Sequence, residues 1–426
     1  MSTPTVGDQG TLSGLHIAFV IIGGTIGMAV FLVSAQIGGA LGLKKAGLAF
    51  VMGCQILAVF GSLTSYVGAR TRRTTYQLCE TAFGGDGAKL VNSLIALSLL
   101  GWFAVIANTM GALSEFVFST LYGWTFPPAV YVIVSSLAIV GVTASGFRGI
   151  DRVALWMTPA MLVLLIHAAF TCIDSVPSWE LPLAHVPPMS FASAISAVVG
   201  SYIAGVIIQP DYSRHACTCA HAVTAAFIAL GISFPLVMFL AAIPGQALEQ
   251  VDLRGLMLAM GLGLPAFTLL FLGAWSSNVL CLYSSSLSAA TVIGRLDYRV
   301  AVVIIGTIGT CLGLVDAQSY LINFLVLLGI TIPPVGAIYV VEALLLEPAK
   351  TADTSPAGNS WLSRTWVIAV GAWLGAAVFG FLVHRGLVGI SGVAAIDVIL
   401  FSALVFFLLN QSRWRRPGTV LAPQSD

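Results

Sequence analysis

Long apolar runs separated by short polar hinges fill this chain from about residue 15 to residue 409. A helix needs about 20 apolar residues to cross roughly 30 Å of hydrocarbon. Twelve stretches reach that length: 15–41, 47–69, 89–121, 127–146, 153–173, 191–210, 222–243, 262–290, 299–317, 319–346, 365–383 and 388–409. In lipid a spanning segment must satisfy its own backbone, so runs of this length predict helices. The narrowest gap is between the ninth and tenth, where Asp316, Gln318 and Ser319 mark a turn. The expected architecture is an all-α integral membrane protein with 12 transmembrane helices.

Composition sharpens that picture. The chain is 58% hydrophobic and 8% charged, where soluble domains carry about 25% charged residues. No hydrophilic stretch is long enough for a soluble domain, which argues against extramembrane enzymology. A net charge of +1 leaves no basic stripe for nucleic acid. The seven cysteines are scattered, and Cys217-Thr218-Cys219 reads as a short loop rather than a metal motif. Residues 1–14 hold no Lys or Arg, so no secretory signal is expected and the first run stays as a span.

Basic residues set the orientation. With the N-terminus in the cytoplasm, fourteen Lys and Arg fall in inside loops and only Lys44, Lys45, Arg254 and Arg385 fall outside. The expected location is the cell (inner) membrane, multi-pass, with both termini cytoplasmic. Residues 347–364 then form a cytoplasmic linker, 365–410 hold helices 11 and 12, and 411–426 form a cytoplasmic tail.

Glycines interrupt two spans. Span one contains Gly23, Gly24 and Gly27; span six contains Gly200 and Gly205 and ends at Pro210. Glycine tolerates unusual backbone angles, and secondary transporters often open each of two inverted repeats with a discontinuous helix. That reading divides a core, residues 1–346, into five-helix halves at about 15–173 and 191–346. The alternative is close helix packing through small residues.

Three stretches carry polar or aromatic groups into the hydrocarbon. Residues 273–287 read GAWSSNVLCLYSSSL. An unpaired hydroxyl or amide there costs roughly 2–7 kcal/mol. The vicinal hydroxyls of Ser276 and Ser277, with carbonyls of an interrupted helix, are hard oxygen donors suited to sodium. Asn278 offers a donor and an acceptor to the edge of a heterocycle, whereas Ser284, Ser285 and Ser286 read as bonded back to their own helix. In 198–215, VVGSYIAGVIIQPDYSRH, Gly200, Ser201 and Tyr202 sit mid-span, and Tyr202 reads either as a stacking ring beside bared amides or as core. In 99–111, LLGWFAVIANTMG, Trp102 lies too deep for an interfacial belt, and Asn108 has no assigned role. Glu115, Glu342 and Asp397 lie near span ends and read as interfacial; with no midplane carboxylate relay, sodium coupling is mildly favoured over proton coupling.

The order and spacing of these stretches resemble the nucleobase:cation symporter-1 family, and within it the bacterial cytosine permeases. Gly101-Trp102-Phe103, VGSYI (199–203) with PDYSR (210–214), AWSSN…LYSSSL (274–287), TIPPVGAIYVVEALL (331–345) and YVGARTRRTTY (66–76) carry the likeness from about 15 to 346. The resemblance implies a five-plus-five inverted repeat of the sodium-coupled amino-acid transporter kind, with helices 1 and 6 broken and two helices added. It also implies a base sandwiched between Trp102 and Tyr202 and bonded by Gly200, Ser201 and Asn278, with Gly27 shaping the wall. Sodium would take the carbonyls of Gly23 and Ile26 and the hydroxyls of Ser276 and Ser277. The sequence departs where cytosine permeases read NIWTTNDN: Gly273 replaces the first Asn, and Val279-Leu280 replace the Asp-Asn pair.

The expected function is secondary active import of a nucleobase-like heterocycle, such as cytosine, another pyrimidine or a purine, coupled to sodium or protons by alternating access. No cofactor or transition metal is expected; the partners are the heterocycle, the coupling cation and the bilayer. The rival is a carrier of the same architecture for hydantoin or allantoin, a thiamine-precursor pyrimidine or an amino acid. A membrane-embedded enzyme finds no clustered groups, since His167 is isolated.

Overall fold

The computed structural model describes residues 12–145, 150–251, 263–293, 296–315, 318–346 and 364–414. Helix lies under every apolar stretch. Span one is a pair, α1 (Gly14–Thr25) and α2 (Met28–Leu41). Then come α3 (Leu43–Thr71), α4 (Thr75–Tyr122), α5 (Pro128–Ser145) and α6 (Ile150–Cys172). Span six is α7 (Phe191–Ile207) with the short α8 (Gln209–Ser213). Span seven joins α9 (Cys219–Phe227) to α10 (Phe234–Ala247) through a π-helical turn, Ile228–Ser233. Spans eight and nine are α11 (Leu264–Ile293) and α12 (Tyr298–Gly313). Span ten is α13 (Leu321–Thr331) and α14 (Pro333–Val341), and the last two are α15 (Arg364–His384) and α16 (Ala394–Trp414). Among the described residues, six helical runs are long and apolar enough to cross a bilayer, and seven when the bent pair of span one counts as one. The expected linker, apart from Arg364, and the tail beyond Trp414 lie outside the described residues.

The packing sorts the spans into two groups. Spans one, two, six and seven pack together through α1 on α9, α2 on α10, and α3 on α7 and α9. Spans three, four, eight and nine pack together through α4 on α5, α11 and α12. Span ten lies along α7, while α15 and α16 pair with each other and cover α4 and α14. In lipid such contacts rest on close backbone approach. A Cβ on Gly53 would stand 2.6 Å from Val198 Cβ, and one on Gly329 would stand 2.5 Å from the Ser196 carbonyl.

Three local features go beyond the sequence reading. Residues 75–83 form an extra helix before span three. Thr74 caps it, accepting from the Gln77 N–H at 3.2 Å while the Gln77 side chain accepts from the Thr74 N–H at 2.9 Å. Gly84, at φ 73° and ψ 172°, turns the chain into the span itself. Asn108 acquires a role: its amide donates to the Gly313 and Val315 carbonyls at 3.0 and 3.2 Å, closing the end of α12. Asp397, in the first turn of α16, is 0% exposed; it accepts from the Ile390 and Ser391 amides at 2.9 Å and fixes the loop entering that helix.

Span six breaks, but not at its glycines. The helix is continuous through Gly200, Ser201 and Gly205, and the interruption is at Ile208 (φ −88°, ψ 4°). Pro210 is the cause. It has no N–H for the Val206 carbonyl, and the Asp211 N–H bonds Ile208 instead, at 3.0 Å, leaving Ile207 without its ladder donor. Hydroxyls from other segments take both carbonyls: Thr64 donates to Val206 at 3.0 Å, Tyr339 to Ile207 at 2.9 Å and Thr75 to Ile207 at 3.4 Å. Tyr339 is fully buried. Tyr339→Phe is therefore expected to lower stability by about 1–3 kcal/mol, the range for weakening a buried bond; a melt matching the parent's would show that Thr75 alone satisfies the carbonyl.

Candidate functional site

The site is built around the break in span one. Helix α1 ends at Thr25, Ile26 adopts φ −98° and ψ 84°, Gly27 is extended, and the two halves bend by 62°. A helix end leaves its last carbonyls without ladder partners. Ile22 is satisfied by the Ile26 N–H at 3.1 Å and the Thr25 hydroxyl at 2.8 Å. Gly23 and Ile26, the carbonyls assigned to a cation, thus sit at an interrupted turn.

Two predicted partners reach that turn. The Ser277 hydroxyl lies 3.6 Å from where a Cβ on Gly27 would stand, so span eight meets the break directly. Tyr202 arrives from span six, where its hydroxyl donates to the Ile21 carbonyl at 3.4 Å. Glycines make its seat, because a Cβ on Gly24 would stand 2.9 Å from the hydroxyl and one on Gly205 would stand 2.7 Å from the ring. Phe234 closes the other side, edge-on at 5.6 Å. Tyr202 is largely buried and packs against the core.

Asn278, the residue after Ser277, is 0% exposed, and among the described residues neither its amide nitrogen nor its amide oxygen has a hydrogen-bond partner. A buried amide with both ends unmatched is costly. Span three runs antiparallel beside span eight. The Ser285 hydroxyl bonds the Ala96 carbonyl at 2.9 Å, and Phe118 meets Phe267 at 6.0 Å. Between those two contacts, Trp102 and Asn278 fall at one level of the seam. Trp102 is 6% exposed, with its ring edge-on to Phe324 of span ten at 5.8 Å.

Other expectations need correction. Gly200 and Ser201 do not offer bared amides, because both lie inside α7, where the ladder uses the backbone. Gly200 is instead a contact residue, facing the Leu325 backbone of span ten with no room for a Cβ. The Ser201 hydroxyl bonds its own helix at Val198, 2.7 Å away. Ser285 bonds across to span three rather than back to its helix, and the Ser286 hydroxyl is buried without a partner. Ser276 is buried beside Ser277.

Sequence reading missed two neighbours. Phe324 covers both Gly101 and Trp102, and its signal was only an aromatic one residue before the Leu325 that meets Gly200. Met161 of span five sets its sulfur 2.5 Å from where a Cβ on Gly273 would stand. Gly273 therefore makes a close helix contact through a thioether.

Comparison with known proteins identifies the family and the fold. A family model for permeases for cytosine/purines, uracil, thiamine and allantoin matches residues 5–366. The cytosine permease of Escherichia coli O157:H7 is 27% identical over 402 residues, covering 93% of this chain and 90% of that protein. The cytosine permease of Escherichia coli strain K12 matches with the same identity and coverage. Among solved structures, inward-facing Mhp1 superposes with a TM-score of 0.80 at 17% identity, covering 95% of this chain and 91% of that one. Closed Mhp1 with bromovinylhydantoin bound gives 0.75 at 17%, covering 95% and 93%. MhsT in complex with L-phenylalanine gives 0.54 at 16%, covering 96% and 100%. At those identities the likeness is one of fold. The chain belongs to the family of permeases for cytosine/purines, uracil, thiamine and allantoin, and is a membrane transporter rather than an enzyme.

Proposed function

We propose that this permease imports a flat, nitrogen-bearing heterocycle by alternating access, coupled to sodium, with a proton as the alternative ion. The observation carrying the reading is Asn278, whose buried amide is unmatched at both ends. A heterocycle edge that presents an acceptor beside a donor matches such an amide. Trp102, level with it, and Tyr202, across the span-one break, are the stacking faces; each base face on an aromatic contributes on the order of 1–3 kcal/mol. The cation binds beside this guest, through the Gly23 and Ile26 carbonyls and the Ser276 and Ser277 hydroxyls. The approach of Ser277 to Gly27 supports that set. Gly27 shapes the wall beside Ser277.

The transport cycle follows from the packing. Spans one and six belong to one group and spans three and eight to the other, so the guest bridges two bodies and its binding biases their relative position. The same grouping pairs spans one to four with the spans five places later, which supports a five-plus-five repeat. The apolar runs support twelve crossings, and the distribution of Lys and Arg supports cytoplasmic termini in an inner membrane.

Uptake of radiolabelled cytosine, adenine, hydantoin and leucine into proteoliposomes, with and without a sodium gradient, tests the reading. One heterocycle is expected to be taken up saturably. Trp102→Ala abolishes this uptake in protein that still folds, and Ser276→Ala with Ser277→Ala weakens sodium stimulation more than ligand binding. Uptake of leucine alone, or full transport by Trp102→Ala, rejects the heterocycle. Uptake that ignores sodium but follows a pH gradient replaces sodium by a proton.

A further inference from the structure

Away from that site, the outer face carries a groove of about 470 Å³ between spans two and seven. Its walls are two helical stripes. Gly47, Leu48 and Val51 lie within two turns of α3, and Ile232 and Leu236 are one turn apart on span seven. Those four larger side chains are all exposed. The floor is made of glycine. A Cβ on Gly47 would meet the Phe239 ring at 3.1 Å, and one on Gly231 would meet Ala58 at the same distance. Gly231 belongs to the π-helical turn, which widens a helix and frees a carbonyl. The Gln55 amide takes the Gly231 carbonyl at 2.8 Å, so the dent is held open by a built contact.

One end of the groove is polar. Lys44 lines it and pairs with Glu180, and the two side chains remain 63% and 69% exposed. Trp179 stands beside them, its carbonyl accepting from the Lys44 N–H at 2.9 Å and its ring 6.3 Å from Phe239. Tryptophan and lysine of this kind gather at the headgroup level of a bilayer. An apolar trough ending in a tryptophan and a charge pair has the anatomy of a phospholipid, chain first and headgroup after. The charges choose the headgroup. Lys44 attracts a phosphate, while Glu180 repels a headgroup of net negative charge and accepts an ammonium.

We propose that this groove is a specific site for a zwitterionic phospholipid, its acyl chain lying over Gly47 and Gly231 and its headgroup meeting Lys44 and Glu180 with opposite charges. The site is independent of the transport reading, since none of its residues lines the span-one break.

Native mass spectrometry of the full-length protein, released from nanodiscs holding equal phosphatidylethanolamine and phosphatidylglycerol, tests this proposal. Wild type is expected to retain phosphatidylethanolamine over phosphatidylglycerol by about two- to fivefold, the weight of one exposed charge pair. Val51→Trp fills the trough from an exposed position and is expected to lose the adduct. Glu180→Lys is expected to reverse the preference. Equal retention of both lipids by wild type, or an undiminished adduct on Val51→Trp, overturns the proposal.

Discussion

Asn278→Leu is expected to melt higher than the parent protein and to transport nothing. Leucine shares asparagine's branching and heavy-atom count and is the bulkier of the two, so the substitution removes an amide without opening a cavity. That amide is 0% exposed and is matched at neither end among the described residues. Removing an unmatched buried polar group recovers its desolvation penalty, about 1–3 kcal/mol. The same change deletes the donor and acceptor offered to the guest, and a site built to bond an edge rejects strongly once those groups are gone. Two measurements on one variant therefore move in opposite directions. Thermal unfolding of the purified protein without ligand shifts up, while the ligand-induced shift and saturable uptake vanish. Asn278→Asp keeps an acceptor and adds a charge, and is expected to lower the unliganded melt. A lower melt for Asn278→Leu would mean that the amide already stabilises the protein, and the assignment of Asn278 to a guest would fall. Functional sites commonly sacrifice stability in this manner.

How much of this was legible in the sequence depends on the kind of signal. Span positions were readable because bilayer thickness imposes a length on apolar runs, and helix lies under each stretch. The break in span one was readable from Gly23, Gly24 and Gly27, and the structure places it at Ile26 and Gly27. Span six looked equally glycine-rich, yet there Gly200 serves contact with span ten, and Pro210 makes the break by removing one N–H. Glycine composition does not separate these uses; the neighbour across the helix decides, and a single sequence does not state neighbours. Ser277 and Tyr202, which the structure brings to the span-one break, stood out because they combine polar or aromatic groups with mid-span position. Phe324 and Met161 were not, because an aromatic or thioether in an apolar run carries no contrast. The extra helix at 75–83 was missed for a different reason. It is too short to read as a span, and its capping box only becomes distinctive once the chain is seen to turn at Gly84.

Gly200 supplies the second large effect, and it separates packing from recognition within one tripeptide. A methyl at this position would collide with the Leu325 carbonyl, and the collision partner is backbone, which cannot rotate aside. The reciprocal contact, Gly329 on the Ser196 carbonyl, locks span ten to span six from the other direction. Gly200→Ala is therefore expected to cost stability at the upper end of the roughly 1–3 kcal/mol seen for overpacked cores, and Gly200→Leu to leave no folded protein in the membrane. Ser201→Ala removes a hydroxyl already bonded within its own helix, at Val198. It is expected to leave both melting temperature and transport near the parent's. Size-exclusion profiles, melting curves and substrate KM for the three variants check this together. If Gly200→Ala folds normally and only its KM rises, the residue touches the guest after all, and α7 must open at Gly200 during the cycle. If it loses folded protein while Ser201→Ala transports normally, span six presents Tyr202 alone to the site, and the rest of its middle turn exists to hold span ten in place.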